Sequence, residues 1–187
     1  RWLLFTVIKL YQGGRMLMLQ YLNNRIVWKE NDKAYDGAIS ESVIAAWFGF
    51  RQSHVRSKEA GGILLGRYYP DSHTILVDDL TTPMFRDKRT RTTFFRSKSH
   101  DKALKKYWKD TKGFGGLLGL WHTHPEPKPN PSNTDLNDLA SQFTSSKYLS
   151  ERILYVIVGT SHIGFWIAYS QISRIFLGYL PFYNKDD

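Results

Sequence analysis

The chain is organised around Leu120-Trp121-His122-Thr123-His124-Pro125-Glu126-Pro127-Lys128-Pro129-Asn130-Pro131-Ser132-Asn133-Thr134-Asp135. Two histidines stand at i and i+2. In an extended strand such positions point to one side, so His122 and His124 can aim two imidazoles at a common point. Pro125, Pro127, Pro129 and Pro131 disfavour a helix and stiffen the connection. Ser132 or Asn133 then reads as a helix N-cap, which puts Asp135 in the first helical turn. A strand end, a rigid loop and a helix start thereby bring two nitrogens and one carboxylate together. These are N/O ligands of the kind zinc takes, with a fourth position left for water. A His-X-His pair alone is weak evidence, because short motifs recur by chance. The spacing to Pro125, Ser132 and Asp135 gives the reading its weight.

Histidine, histidine, proline, serine and aspartate in this order resemble the JAMM signature of the MPN/JAB metalloprotease family: His-X-His-Pro, six residues, Ser, two residues, Asp. Residues 126–131 fill the six and Asn133-Thr134 the two, without gap or substitution. The resemblance runs over roughly residues 40–170. It implies an α/β fold, a curved and mostly antiparallel sheet flanked by helices, with zinc on His122, His124 and Asp135. It also implies a glutamate at the edge of an early strand as catalytic acid/base. Glu59, followed by Ala60-Gly61-Gly62-Ile63-Leu64-Leu65-Gly66, fits that place. A lone glutamate before a strand would otherwise read as an exposed charge.

Outward from these anchors the pattern predicts a short first strand at Ile26-Val27-Trp28 and a turn at Asn31-Asp32-Lys33. A helix capped by Ser40 follows, with Val43, Ala46, Trp47 and Phe50 on one apolar stripe. Ile63 to Tyr68 reads as a buried strand. Gly61-Gly62 lets the backbone pass close to a neighbour at its start. His73 to Asp78 pairs with it through the turn at Pro70-Asp71-Ser72. Ser99 to Asp110 reads as a helix with Ala103, Leu104, Tyr107 and Trp108 inward. Gly115 to Trp121 is a strand entering the histidine motif, and Thr134 to Phe143 is the helix bearing Asp135. Ile153 to Val158 and Ile163 to Ala168 are strands, with another at Ile172 to Leu180. Residues 1–24 read as a leader of uncertain status, with Met16 or Met18 as candidate starts, and residues 25–187 as a single domain.

The chain of 187 residues contains no cysteine, so any metal must rest on His, Asp, Glu or water, and no disulfide framework exists. That fits a reducing, cytoplasmic setting. No apolar run approaches the ~20 residues that span a bilayer. The formal net charge is +9, and residues 86–112 carry eleven bases against three acids. Such a cluster suggests an acidic partner or nucleic acid, or simply a solvated helix face. His100 lies within it and could touch substrate. His54, His73 and His162 read as surface or structural.

The chemistry assembled this way is amide hydrolysis without a covalent intermediate. Zinc lowers the pKa of its water from about 15.7 toward ~7. Glu59 takes a proton and returns it to the leaving amine. Ser132 offers a hydroxyl to the oxyanion, besides its role as cap. The resemblance implies cleavage at the C-terminus of ubiquitin or ubiquitin-like proteins. A closer likeness, in Glu59 to Gly66, Thr82 to Arg96 and Trp121 to Glu126, is to compact bacterial JAB proteins encoded beside ubiquitin-activating-like and conjugating-like enzymes. Among these are the deconjugating peptidases of CBASS anti-phage systems. It implies a substrate conjugated through the C-terminal tail of a cGAS/DncV-like nucleotidyltransferase. Rival expectations are a processing protease for another ubiquitin-like or sulfur-carrier protein, a zinc peptidase of low specificity, and a non-catalytic scaffold or nucleic-acid-binding module. The intact ligand set argues against the last.

Overall fold

A computed structural model describes residues 7–12, 14–30 and 36–182. Along the chain lie β1 (Val7–Gln12), β2 (Arg15–Leu22), β3 (Arg25–Glu30), β4 (Gly37–Ile39), α1 (Glu41–Phe50), β5 (Gly61–Tyr69) and β6 (Thr74–Leu80). Then come β7 (Lys88–Arg89), β8 (Phe94–Phe95), α2 (Ser99–Asp110), β9 (Gly116–Thr123), α3 (Asn133–Ser145), β10 (Ile153–Val158), β11 (His162–Ala168) and β12 (Arg174–Pro181). Ten strands form one sheet in the order β1-β2-β3-β4-β6-β5-β9-β10-β11-β12, and β7-β8 is a separate small hairpin. Among the described residues, only β4–β6 and β9–β10 pair in parallel. The fold is thus α/β, with a mostly antiparallel sheet flanked by helices. No helix among the described residues is long and apolar enough to cross a membrane.

The alternation of side chains across the sheet feeds two cores. On one face Val43 and Trp47 of α1 pack with Trp28, Trp121, Val156 and Phe165. On the other, Leu139 of α3 joins Leu120, Tyr155, Ile157 and Trp166, with Leu104 and Tyr107 of α2 against them. All eight residues of β9 are buried, as expected of a central strand covered on both faces. Its neighbour β10 runs parallel, so the chain must cross over between them, and α3 is that crossover. This places the end of β9 beside the start of α3.

The glycines at the start of β5 answer the expectation of a close approach. A Cβ on Gly62 would lie 2.0 Å from the Thr81 carbonyl oxygen, and one on Gly61 would meet the Phe94 ring at 2.5 Å.

Several expectations need correction. The strand at residues 26–28 exists within β3, but it is not the first: β1 and β2 precede it, and Leu17 and Leu19 enter the same core as Trp28. The sheet therefore draws on both sides of the 24/25 boundary. The turn expected at Asn31-Asp32-Lys33 lies outside the described residues. Ser40 holds the N-cap position of α1 in extended geometry, yet makes no side-chain cap bond. Trp108 does not face inward; it is 57% exposed. The inward row of α2 is instead His100, Leu104 and Tyr107, spaced at i, i+4 and i+7. Trp108 falls one residue, about 100°, beyond that row.

Candidate active site

His122 and His124 stand at the end of β9, and their side chains share a face because Thr123 between them points the other way. The backbone fixes this end from both sides. Gly61 of β5 lies opposite His122, and the His124 N–H donates to the Val158 carbonyl at 2.9 Å. The two Nε2 atoms are 3.0 Å apart.

Asp135 arrives through a capping box. The Asp135 N–H donates to Ser132 Oγ at 3.2 Å, and the Ser132 N–H donates to Asp135 Oδ2 at 2.6 Å. Both groups expected at the helix start are there, and Ser132 is the cap. The same carboxylate reaches back to the histidines, with Oδ1 3.1 Å from His122 Nε2 and Oδ2 3.2 Å from His124 Nε2. The proline-rich spacer is pinned rather than loose. Its Glu126 and Pro127 carbonyls accept from the N–H groups of Thr160 and His162 at 2.7 and 3.0 Å.

Glu59 sits two residues ahead of β5, is buried, and has Oε1 3.9 Å from His124 Nε2. Its placement rests on residues that the sequence did not single out. Thr123 Oγ1 accepts from the Ala60 N–H and donates to Gln52 Oε1, both at 2.9 Å. Buried Gln52 then donates to the Arg91 carbonyl at 2.8 Å. Arg89 Nε donates to the carbonyl of Glu59 itself at 2.5 Å.

The electrostatics follow from this crowding. Burial pushes the Glu59 carboxyl up to about 7, opposed by His124 and reinforced by Asp135 and Glu126. A base with a pKa near neutrality is well matched to proton transfer at neutral pH. Burial also raises Asp135, but hydrogen bonds from His122 and His124 outweigh it and hold this carboxylate well below its ordinary range. Burial lowers His122, favouring the neutral ring that a metal requires. His124 is pulled down by burial and more than restored by Asp135, Glu59 and Glu126, ending above its ordinary value.

His122, His124 and Asp135 form a ligand set whose donor atoms all lie within 4.8 Å of one another. Two ligands ~2.05 Å from a tetrahedral ion would be about 3.3 Å apart, close to the observed 3.0–3.2 Å. The donor set therefore fits a metal ion.

The cleft in front of these residues is walled by Thr92, Thr93, Phe94, Phe95 and Arg96 of the segment around β8. Arg96 forms an ion pair with Asp138, one turn beyond Asp135 on α3. Tyr155 of β10 floors the cleft, with its ring 5.6 Å from that of His122. His100, expected as a substrate contact, is instead buried behind this wall. Thr81 Oγ1 accepts from the Ile63 N–H and so donates to His100 Nδ1 at 2.6 Å. The ring's Nε2–H donates to Asp87 at 3.0 Å, and Asp87 in turn accepts from the Met84 and Ser97 N–H groups. This relay ties the wall to β5.

Residues 50–169 match the family described as prokaryotic homologs of the JAB domain. The chain belongs to the prokaryotic JAB family. A protein of Pseudomonas aeruginosa named CD-NTase/cGAS isopeptidase is 37% identical over 115 residues, spanning 59% of this chain and 70% of its own. A protein of the same name from Escherichia coli is 30% identical over 130 residues, 69% of this chain and 78% of its own. A Vibrio cholerae protein, also so named, is 30% identical over 67% of this chain and 76% of its own. Among solved structures, protein DSY2949 of Desulfitobacterium hafniense superposes with a TM-score of 0.54 at 15% identity, over 74% of this chain and 87% of its own. That likeness concerns the fold alone.

Proposed function

We propose that this JAB protein is a zinc-dependent isopeptidase that hydrolyses the bond joining the C-terminal tail of a cGAS/DncV-like nucleotidyltransferase to its conjugation target. It would thereby reverse a ubiquitin-like modification in anti-phage defence. The observation that carries the reading is the convergence of His122, His124 and Asp135 with the buried carboxyl of Glu59 beside His124. The shared name of the curated relatives supports the choice of substrate.

His122, His124 and Asp135 would hold the zinc. When bound there, the ion would supply Lewis acidity and a water acidified from about 15.7 toward ~7. Glu59 accepts a proton from the attacking water and later passes it to the leaving amine nitrogen. Ser132 Oγ, which already accepts from the Asp135 N–H, keeps its own hydrogen for the oxyanion that forms at the scissile carbonyl. Buried Gln52 and Thr123 hold Glu59 in line for both transfers. The wall around β8 and the start of α3, with Ser132, Thr134 and Asp138, line the cleft that would take an extended tail. A functional link to ubiquitin-activating-like and conjugating-like enzymes follows from the same reading, as does a cytoplasmic site of action. Nucleic acid is not expected as the substrate.

The test pairs metal analysis with cleavage of a fusion in which the tail of a CD-NTase is joined to a reporter, comparing the protein with Glu59→Ala. About one zinc per chain, with cleavage abolished in the variant, supports the reading. Zinc without cleavage moves the substrate to another ubiquitin-like or sulfur-carrier C-terminus. A chain that takes up no zinc after reconstitution refutes it in favour of a binding scaffold.

A further inference from the structure

Four lysines run in one line along α2. Lys98 is at its N-cap, and Lys102, Lys105 and Lys109 follow at spacings of four, three and four. Such spacing stacks side chains on a single face, here the exposed face opposite His100, Leu104 and Tyr107. None of the four has an ion-pair partner among the described residues, whereas Lys106 beside them pairs with Asp110. Asp101, three residues past Lys98 and four before Lys105, is the acid that borders this line, and it pairs with neither among the described residues, so four lysines stand against one carboxylate. Like charges at these spacings repel. Ser97 Oγ accepts from the Ser99 N–H at the helix start, and Lys98 stands beside it, where the positive end of the dipole disfavours a cation. Lys98 itself makes no cap bond. A face needed only for solubility would mix both signs.

The line begins at the rim of the cleft. Lys98 is two residues past Arg96, which lines it, and the His100 ring packs edge-on against Phe94, another lining residue. From there the line leads away along α2, with exposed Trp108 at its flank. A folded body whose tail occupies the cleft must sit over ground next to that rim. Resting on the isopeptidase reading above, we infer that the lysine line docks an acidic face of the folded domain that carries the substrate tail. The charges are lysine points on a convex helix. Arginine forks or a basic groove lined with aromatics would suit phosphate better. The line therefore matches dispersed carboxylates of a protein surface. Such a contact raises encounter rate and lowers KM without entering the chemistry.

The test uses the full chain with Lys102→Gln, Lys105→Gln and Lys109→Gln together. It is assayed on two substrates: a CD-NTase joined through its C-terminus to a reporter protein, and the tail peptide alone joined to the same reporter. The expected result is a KM for the folded substrate raised about tenfold, with kcat within about twofold. Kinetics on the tail peptide stay unchanged. The wild-type preference for the folded substrate fades as sodium chloride is added. Thermal stability holds or rises, because repulsion along α2 is relieved. An unchanged KM on the folded substrate overturns the inference, and so does an equal loss on both substrates. A variant whose sole defect is weaker binding of a duplex RNA probe also overturns it and assigns the line to a phosphate backbone. If the wild type cuts neither substrate, the CD-NTase substrate of the reading above fails and takes this inference with it.

Discussion

Strand β9 is bonded on both sides, to β5 and β10, and all its residues are buried. The segment from Met84 to Lys98, across the cleft, has only two two-residue strands. One backbone bond, from the Glu59 N–H to the Thr90 carbonyl, joins it to the head of β5. Side chains do the rest, with His100 on Asp87, Arg96 on Asp138 and Gln52 on the Arg91 carbonyl. Each region contributes one wall of the same site. The first fixes its functional groups through backbone register, where a shift of one residue would turn both histidines to the opposite face. The second relies mostly on single polar side-chain contacts, which one substitution can remove. The two histidines of the candidate metal set therefore sit on the part of the molecule that resists perturbation, and the opposite wall of the cleft on the part that responds to it.

The largest test of this contrast is chemical. Glu59→Gln should keep the fold and its metal while activity falls about 10³-fold, within the 10²–10⁴ range typical of a lost general base. Thermal stability should hold or rise, since the change removes a buried ionisable group. A variant that loses metal as well would show that Glu59 belongs to the rigid ligand set. Next, Gly62→Ala should break the sheet centre itself. Its Cβ would fall 2.0 Å from the backbone oxygen of Thr81, which cannot swing aside. A loss of about 3 kcal/mol in denaturant unfolding is expected, the upper part of the range for overpacking. A neutral result would mean that the centre yields more readily than its register implies.

Ser132→Ala separates two roles of one side chain. Loss of the cap should lower stability by about 1 kcal/mol, and loss of the oxyanion donor should lower kcat by about 10²-fold. A stability change with kcat intact would leave Ser132 as a cap only.

The smallest effect lies in the responsive wall. Burial pushes the Asp87 carboxyl up, but the Met84 N–H, His100 and the Ser97 N–H outweigh it and hold its pKa below the ordinary 3.8. A carboxylate depressed in the folded state stabilises fully above its unfolded pKa, and that contribution is lost as pH falls through the lower, folded value. Asp87→Asn should therefore cost about 1–2 kcal/mol at pH 7. The gap in melting temperature between variant and wild type should then narrow as the pH drops below about 4. A gap that stays constant down to acid pH would remove charge from the account of this relay.

What could be read beforehand follows the same division. His122, His124, Ser132 and Asp135 lie within fourteen residues of chain, so spacing alone brings them together, and Glu59 is reachable through the family pattern at the head of β5. Gln52, Thr123, Asp138 and Tyr155 are not, because each matters through a partner far along the chain; Gln52 meets Thr123 across 71 positions, and Asp138 meets Arg96, itself within the Thr82 to Arg96 stretch of family likeness, across 42. His100 was misjudged by its basic surroundings, although the i, i+4, i+7 row with Leu104 and Tyr107 was available. The strand β2 was hidden because Met16-Leu17-Met18-Leu19 is apolar throughout, and only the structure shows that Leu17 and Leu19 are the inward pair.

The two halves of the centre also differ in how far apart they are in the chain. Both histidines and Asp135 lie within one strand, loop and helix start, whereas Glu59 reaches them only through the pairing of β5 with β9. Closing the first set requires a short local loop, and adding Glu59 requires a contact 63 residues away in sequence. The proposed ion uptake and the proposed turnover thus depend on different parts of the fold. On the zinc-isopeptidase reading, a damaged or partly folded form would load metal and still be inert, so metal content alone would be a poor measure of how much active protein a preparation contains.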